Sequence, residues 1–292
     1  MLIAGCGDLG GRIAGRAQAR KEEVVCLVRS AASAQRLDGR GLDARAQDLD
    51  SDIVLDDKSQ RQAQVFYFAP PPAQGVDDPR MGRLLDALDT RPRRIVYVST
   101  TGVYGDCRGE RVDETRPPNP QVDRARRRFD AEQRLLRWRD THAGEVVILR
   151  VAGIYGPDKL PLQRLRDRVP MIAEVDAPWT NRIHIDDLVR VAEAAMARGI
   201  DGEVYNVSDG SPGNMRDYFD RIADAFDLPR APEITLADAG DRLSPGMLSY
   251  LAESRRLDNR KMLDTFGLAL TYPDLASGLQ ACVDVMRTES VD

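Results

Sequence analysis

A doubly wound α/β fold of the Rossmann type, with a parallel sheet and a small C-terminal substrate lobe, is the expectation for this chain, and three observations carry it. Apolar runs of strand length alternate with amphipathic stretches of helix length through the first half of the sequence. Those strand-length runs are apolar throughout, which is the mark of a sheet buried on both faces. The first of them passes directly into a glycine-rich turn, Gly5-Cys6-Gly7-Asp8-Leu9-Gly10, that opens a helix.

The elements follow in order. Residues 2–4 make a short strand, and 9–20 a helix in which Ile13 and Ala17 recur four apart on one face. Residues 24–28 are a second strand. Residues 65–69 are a third clear one, closed by Pro70-Pro71-Pro72, which cannot donate to a ladder. A helix over 80–88, a strand over 95–99, a helix over 123–138 and a strand over 146–151 continue the alternation. Right-handed crossovers then wind the sheet in both directions. The stretch 105–120 is polar and rich in Pro, Asp and Arg, and reads as a long surface loop. Beyond Gly156-Pro157 the rhythm loosens and prolines recur. Residues 1–157, returning at about 182–209, are therefore assigned to a dinucleotide-binding domain, and 158–181 with 210–292 to the smaller lobe.

Composition sets the outer bounds. The chain has 292 residues, 42% of them hydrophobic and 30% charged, enough to bury a core without disulfides or metals, as two domains or one large one. Lys and Arg number 42 against 47 Asp and Glu, a net charge of −5. The isoelectric point is near 5.3. No global basic field exists for nucleic acid or an anionic membrane. Seven arginines between Arg124 and Arg139 are interleaved with Asp123, Asp130, Glu132 and Asp140, with Glu132 at pairing distance from Arg128 along the helix, so a mixed-charge face is the simpler account of them. Cys6, Cys26, Cys107 and Cys282 are scattered and the histidines are His142 and His184 alone, which argues against a metal site and for a reduced, cytoplasmic setting. No apolar run approaches the roughly 18 residues a membrane span needs. Residues 1–5 enter the glycines with no basic lead-in, so export is not expected.

The glycine turn has a physical reading. Gly5 permits the tight turn, Gly7 lets backbone approach a pyrophosphate, and Gly10 lets helix pack closely on strand. The N–H groups of Asp8 and Leu9 then face the phosphates at the positive end of the helix dipole. The alternative is a turn that merely needs a positive φ. Strand 24–28 ends in Arg29-Ser30 where an acid for the ribose diol of NAD would stand. An arginine there pairs with a 2′-phosphate, so NADP(H) is preferred and NAD(H) is the alternative. A solvated surface arginine is the competing reading. Asp48 and Leu49 fall beside the adenine, although Asp48 is equally suited to accept within a turn. Ala69 and Pro70 at the end of the third strand, and Ser99 at the end of 95–99, complete the set expected to face the cofactor.

Four segments carry a resemblance. Arg94-Ile95-Val96-Tyr97-Val98-Ser99-Thr100-Thr101-Gly102-Val103-Tyr104-Gly105-Asp106 is similar to the active-site strand of the extended short-chain dehydrogenase/reductases, the family of nucleotide-sugar epimerases, dehydratases and reductases. Leu149–Pro157 resembles the strand and loop that close over the nicotinamide. Asn181-Arg182-Ile183-His184-Ile185-Asp186-Asp187-Leu188 resembles the family's His-x-Asp-Asp stretch, and Val204–Asp209 its later strand. The resemblance implies a nicotinamide cofactor and a small-molecule substrate, a sugar nucleotide or another phosphorylated compound. It also implies a homodimer. Thr100 matches the Ser/Thr position of the catalytic set.

The family's Tyr-x-x-x-Lys pair is absent, since no Tyr and no Lys occurs between Asp106 and Ile154. Arg124 and Arg128 stand at the two positions, four apart and on one helix face. Arginine has five donors and no acceptor, so it cannot serve as the acid or base. Arg128 remains able to hold the nicotinamide ribose and Arg124 to neutralise an anionic group. Both also fit a solvated helix face. Together with the Gly-x-Gly-x-x-Gly form, this matches the atypical branch of the family. The expected function is an NAD(P)-binding oxidoreductase or an epimerase/dehydratase-like enzyme. A non-catalytic NADP(H)-binding sensor or partner-binding protein is the alternative. Glu114 and Asp123 are further carboxylates for proton transfer if buried, Tyr104 reads as a packing residue, and His184 as a structural hydrogen-bonding group.

Overall fold

The computed structural model describes residues 1–88, 92–142 and 144–289. The chain divides into two compact units. One comprises Met1–Val103, Pro118–Arg150 and Val189–Tyr205, and the other Tyr104–Pro117, Val151–Leu188 and Asn206–Asp292. Strands and helices are numbered along the whole chain.

The first unit is built on β1 (Leu2–Ala4), β2 (Val25–Val28), β3 (Asp43–Ala46), β4 (Gln64–Tyr67) and β5 (Arg94–Thr100). With β7 (Glu145–Val151) and β12 (Val204–Val207) they form a seven-stranded sheet in the order β12-β7-β5-β4-β1-β2-β3. The pairs β1–β2, β1–β4, β2–β3 and β4–β5 are parallel. The order runs outward from β1 on both sides, so the chain reverses direction between β1 and β4, and the ends of those strands border the crevice where doubly wound folds take ligands.

Helices α1 (Asp8–Ala19), α2 (Ala31–Asp38), α3 (Asp57–Gln60), α4 (Pro79–Ala87) and α5 (Asp123–Thr141) belong to this unit. α1 buries Ile13, Ala14 and Ala17, the face its four-residue spacing sets out. α4 starts with Pro79 at its first turn and with Asp78 accepting the N–H groups of Arg80 and Met81. α5 turns Ala131, Leu135 and Trp138 onto a core shared with Tyr67, Tyr97, Ile95 and Ile148.

The strand expected over 65–69 runs over 64–67, because Phe68 and Ala69 leave the ladder to bond Ala4 O from their N–H groups as the chain passes the glycine turn. β3, with the sequence Asp-Ala-Arg-Ala, is the outer strand of the sheet, so it carries no apolar run to announce it. α2 was equally hidden; it starts from a Ser30 cap and buries only Ala34 and Leu37.

The second unit is assembled from short paired strands. β6 (Arg111–Val112) pairs in parallel with β15 (Arg256–Leu257), β8 (Gly153–Tyr155) with β11 (Arg182–His184), and β9 (Met171–Ile172) with β14 (Glu233–Ile234). β10 (Trp179–Thr180) pairs antiparallel with β13 (Gly213–Asn214). Its core gathers Leu162 and Leu165 of α6 (Leu162–Arg166), Met215, Phe219 and Ile222 of α8 (Met215–Ala225), and Leu279 of the last helix, Leu275–Glu289. α7 (Ile185–Arg198) leads from this unit into the first.

The stretch 105–120 is not a plain surface loop. Cys107 and Val112 are 1% exposed, and the β6–β15 ladder ties the segment into the second unit. Residues 104–117 therefore group apart from the first lobe in which the sequence places them, and the first unit's second segment ends at Arg150 rather than near 157.

Candidate functional site

The glycine turn is built by backbone. Gly5 sits at φ +87°, and a Cβ there would lie 2.3 Å from Ala69 N. No side chain fits between the end of β1 and the chain leaving β4. Ala69 therefore acts by pressing its backbone against the turn. Gly5 and Cys6 both donate their N–H groups to Leu27 O, at 3.0 and 3.1 Å, and Gly7 N donates to Gly5 O at 2.7 Å. A Cβ on Gly10 would stand 2.9 Å from Ile3 Cγ2, so α1 can approach the sheet only with glycine there. Gly7 is different, with nothing within 4 Å of a Cβ. Its open side faces a cavity of about 720 Å³ lined by Gly5, Cys6, Gly7, Asp8, Val28, Arg29, Ser33, Arg36, Leu37, Arg40, Phe68 and Pro70.

Five of the residues singled out from sequence, Gly5, Gly7, Asp8, Arg29 and Pro70, line that cavity. Asp8 is ion-paired with Arg12 at 2.9 Å. The side chain of Arg29 is 77% exposed and lies 3.8 Å from Asp48. Pro70 O accepts from Arg80 Nη1 at 2.7 Å. Arg36 and Arg40, which sequence reasoning missed, stand on the same rim. Arg36 donates to Ser33 Oγ at 3.0 Å. The Arg40 guanidinium has no hydrogen bond or ion pair among the described residues. Both lie in or just after α2, a helix the apolar pattern does not announce, so no periodicity pointed to them.

The other expected cofactor contacts lie outside the lining. Leu9 is half-buried on α1. Ser30 Oγ accepts Ser33 N–H as the α2 cap. Asp48 accepts Asp50 N–H at 3.0 Å, the turn role weighed for it above, and Leu49 is packed in the core. The Ser99 hydroxyl is committed to Glu132, a residue 1% exposed and doubly bonded to Arg150 at 2.7 and 3.2 Å. Any contact of Ser99 with a cofactor would have to come from its backbone. Glu132 thus pairs with Arg150 across to β7, not with Arg128 along the helix, because its side chain points at the sheet.

At the end of β5, Thr100 Oγ1 accepts Gly102 N–H at 3.2 Å. A Cβ on Gly102 would touch both Thr100 and Ala125 at 3.6 Å, which places the first turn of α5 beside this strand end. Arg124 is half-buried there. Arg128 donates from Nη1 to Val98 O at 2.9 Å and lies 6.0 Å from the Tyr97 ring centroid. Around it sit polar groups that sequence reasoning missed. The hydroxyls of Tyr67 and Tyr97 and Oδ2 of Asp78 are buried without partners among the described residues, and the two rings meet edge to face at 5.7 Å. Burial pushes both phenols and the Asp78 carboxyl above their ordinary ranges. A lone tyrosine in each of two otherwise apolar strands was the available signal.

The remaining carboxylates and His184 divide. Asp123 is exposed and paired with Arg126 at 2.9 Å. Glu114 is raised by burial and accepts Asn206 N–H at 2.6 Å. Tyr104 is 1% exposed and donates to Asn206 Oδ1 at 2.8 Å. His184 Nδ1 accepts Asp186 N–H at 3.3 Å, with the Tyr272 ring 4.1 Å away.

The second unit holds a cavity of its own, about 160 Å³, lined among others by Thr180, Arg182, Asp209, Ser211, Tyr218 and Arg221. The Arg182 guanidinium lies 4.1 Å from the Tyr218 ring centroid and donates to Asn181 O at 2.9 Å. It has no carboxylate within ion-pair distance among the described residues. Asp209 is 6% exposed; one oxygen accepts Ser211 N–H at 2.9 Å and the other has no partner among the described residues. Burial pushes this carboxyl up to about 7.

A glycine turn at the reversal point of a doubly wound sheet is the place where α/β proteins of this architecture take nucleotides. Residues 80–208 match the model of the NAD dependent epimerase/dehydratase family. The chain is 25% identical over 189 residues to Protein YeeZ of Escherichia coli K12, a match covering 64% of this chain and 62% of that protein's length. A solved structure of a functionally unknown conserved protein from Silicibacter pomeroyi superposes with a TM-score of 0.85 at 27% identity, covering 97% of this chain and 98% of that one. UDP-glucuronic acid 4-epimerase from Bacillus cereus, in complex with UDP-glucuronic acid and NAD, shares the fold with a TM-score of 0.76 at 19% identity, covering 99% of each chain. Among the described residues there is no cluster of side chains suited to a metal ion and no helix long and apolar enough to cross a membrane.

Proposed function

We propose that the protein is a cytoplasmic NADP(H)-dependent member of this family that acts on a sugar nucleotide or a related phosphorylated compound. The observation that carries the cofactor reading is the cavity over the glycine turn, with a bare Gly7 on its floor and Arg29, Arg36 and Arg40 on its rim. The residues fit a dinucleotide. The N–H groups of Asp8 and Leu9 at the start of α1 would hold the pyrophosphate over the bare Gly7, and the rim arginines the 2′-phosphate of the adenosine. NAD in the neighbouring epimerase complex makes the choice between the two cofactors a property of this rim. When bound, the nicotinamide supplies hydride exchange. Arg128, anchored on Val98 O, would hold the nicotinamide ribose with its remaining donors, and Thr100 would orient the reacting oxygen. Arg124 would balance an anionic group.

The same reading gives the second unit's cavity to the substrate. A half-buried arginine without a carboxylate partner among the described residues suits a phosphate or carboxylate, and the Asp209 oxygen that has no partner among them suits a sugar hydroxyl. Four free cysteines fit a reducing compartment. A homodimer is part of the proposal by family likeness alone, and a sedimentation measurement decides it.

A second reading is favoured by one observation. No Tyr or Lys occurs in the stretch where the family's catalytic pair belongs, and the arginines there cannot exchange protons. On that reading the protein binds NADP(H) without turning over.

Calorimetric titration with NADPH and with NADH tests the first step. NADPH binding at least tenfold tighter is expected; equal affinity removes the role given to the rim, and absence of binding removes the dinucleotide reading. Absorbance at 340 nm with NADP⁺ or NADPH and UDP-glucuronic acid or UDP-glucose then separates the enzyme from the non-catalytic binder.

A further inference from the structure

Cys6 and Cys26 stand apart from the other cysteines. Cys6 is the second residue of the glycine turn and lines the large cavity. Cys26 lies in the middle of β2. Their Sγ atoms are 3.0 Å apart, with Cys6 5% and Cys26 0% exposed. Cys107 and Cys282 have no sulfur neighbour of this kind; their nearest polar contacts are backbone carbonyls at 3.7 and 3.9 Å for the first and His184 Nε2 at 3.8 Å for the second. A disulfide has its sulfurs about 2.05 Å apart, so the pair needs roughly 1 Å of approach.

The two partners are not equally free to move. β2 is laddered on one side to β1 and on the other to β3, with Cys26 opposite Ile3 and Ala44. Cys6 sits in a turn outside any ladder, tied to β2 by its own N–H on Leu27 O, and its far side is open to the cavity. Any closure therefore draws Cys6 toward the sheet and carries the N–H groups of the turn with it.

We infer that Cys6 and Cys26 form a redox modification site, a dithiol that hydroperoxides convert to a disulfide, and that this disulfide and a dinucleotide compete for the glycine turn. The competition rests on the dinucleotide reading above; the disulfide does not. The chemistry balances without a cofactor. The Cys6 thiolate attacks one peroxide oxygen, the O–O bond breaks, hydroxide leaves and a Cys6 sulfenic acid forms. The Cys26 sulfur then attacks the Cys6 sulfur, the S–O bond breaks and the hydroxyl departs as water. Two thiols and one hydrogen peroxide give one disulfide and two waters. The order of attack follows from the environment. The hydrogen bond between the two sulfurs, reinforced by the Arg40 guanidinium and opposed by burial, holds the Cys6 thiol below its ordinary range, whereas the same bond and burial push Cys26 above it. Access follows too, because the cavity opens onto Cys6, and a bound dinucleotide would cover it.

The test treats the full reduced chain with hydrogen peroxide and reads intact mass, peptide mapping and NADPH affinity on the same sample. The expected result is a loss of two hydrogens mapped to a Cys6–Cys26 cross-link, reversed by dithiothreitol. Saturating NADPH slows cross-linking at least tenfold, and the oxidised protein binds NADPH at least tenfold more weakly. Cys26→Ala and Cys26→Ser should each abolish the cross-link and leave Cys6 as its sulfenic or sulfinic acid. Either variant serves if the other fails to fold. Oxygen addition at Cys6 without a cross-link in the native chain overturns the site. A cross-link that forms at the same rate with NADPH bound, in a protein shown to bind NADPH, overturns the competition. If NADPH does not bind at all, the dinucleotide reading fails while the mass measurement still decides the disulfide.

Discussion

The two cavities are made by opposite means. In the first unit the floor is backbone, with Gly5 wedged against Ala69 and Gly7 bare, and the charges stand on an open rim where water screens them. In the second, charge is drawn inward: Arg182 half-buried against the Tyr218 ring and Asp209 buried with an oxygen that has no partner among the described residues. A cavity of the first kind depends on the absence of side chains and tolerates changes at its rim. A cavity of the second kind carries a standing desolvation cost, which a ligand of matching charge would offset. The first should therefore fail by steric intrusion and the second by a change of protonation.

Gly5→Ala should have the largest effect. The left-handed φ costs an alanine about 1–2 kcal/mol. The Cβ also falls 2.3 Å from the Ala69 nitrogen, a backbone atom that cannot swing aside. A total destabilisation of about 4 kcal/mol is expected, at the upper end for a point change, with dinucleotide binding lost. Thermal and urea unfolding of the variant measure it. A change under about 1 kcal/mol would mean that the turn and β4 separate easily, and the contrast between a rigid first cavity and a charged second one would collapse. Gly7→Ala is the companion measurement. With nothing within 4 Å of the new methyl, stability should hold while affinity for the pyrophosphate falls.

Asp209 gives the next effect, and its sign can be worked out. Its folded pKa, about 7, lies above the usual 3.9 or so of an unfolded aspartate. Between those values the folded state holds a proton that the unfolded state has released. The contribution to stability is complete below about pH 4, declines as pH rises toward 7, and is flat beyond. Asp209→Asn keeps the shape and removes the titration. Urea midpoints at pH 5 and pH 8 should differ between the native chain and the variant by an amount on the order of 2–3 kcal/mol, the native chain losing more on going to pH 8. An identical pH response in both would mean that the buried carboxyl is matched by a partner at all pH values. Arg182, whose charge acts against the burial of this carboxyl, is the cation to test as that partner.

These residues also show what a sequence discloses and what it hides. Strands β1, β2, β5 and β7 were legible because burial on both faces writes an unbroken apolar run, and the glycine turn was legible because no other residue fits it. β3 and α2 were hidden at the outer side of the sheet, where half-exposure lets Asp43-Ala44-Arg45-Ala46 pass for loop. With them were hidden Arg36 and Arg40. The loss of the tyrosine and lysine was plain in the sequence. The polar cluster of Tyr67, Tyr97 and Asp78 was not, because it joins three elements distant along the chain and each member alone looks like packing or a helix cap. Arg182 and Asp209 were in view only as parts of short family-like segments, since nothing local states that an arginine will fold inward without a carboxylate.

The smallest effects fall on the rim, and they rank the arginines against the order in which the sequence offered them. The Arg40 side chain has no hydrogen-bond or ion-pair partner among the described residues and Arg36 only a serine hydroxyl, so each can turn most of its donors to a 2′-phosphate. Arg40→Ala or Arg36→Ala should weaken NADPH about tenfold, on the order of 1.4 kcal/mol, while changing NADH less than about twofold. Arg29 is the residue an acid-for-ribose argument selects first, yet it is 77% exposed and already faces Asp48 at 3.8 Å. An exposed, partly neutralised charge contributes about 0.2–1 kcal/mol, so Arg29→Ala should weaken NADPH only about threefold, and the effect should shrink as salt rises. Calorimetric titrations of the three variants at low and moderate salt give the ranking directly. If Arg29 proves dominant, the cofactor's adenosine end lies over β2 and Asp48 rather than over α2, and the choice between NADP and NAD would then depend on the ion pair that Arg29 makes with Asp48.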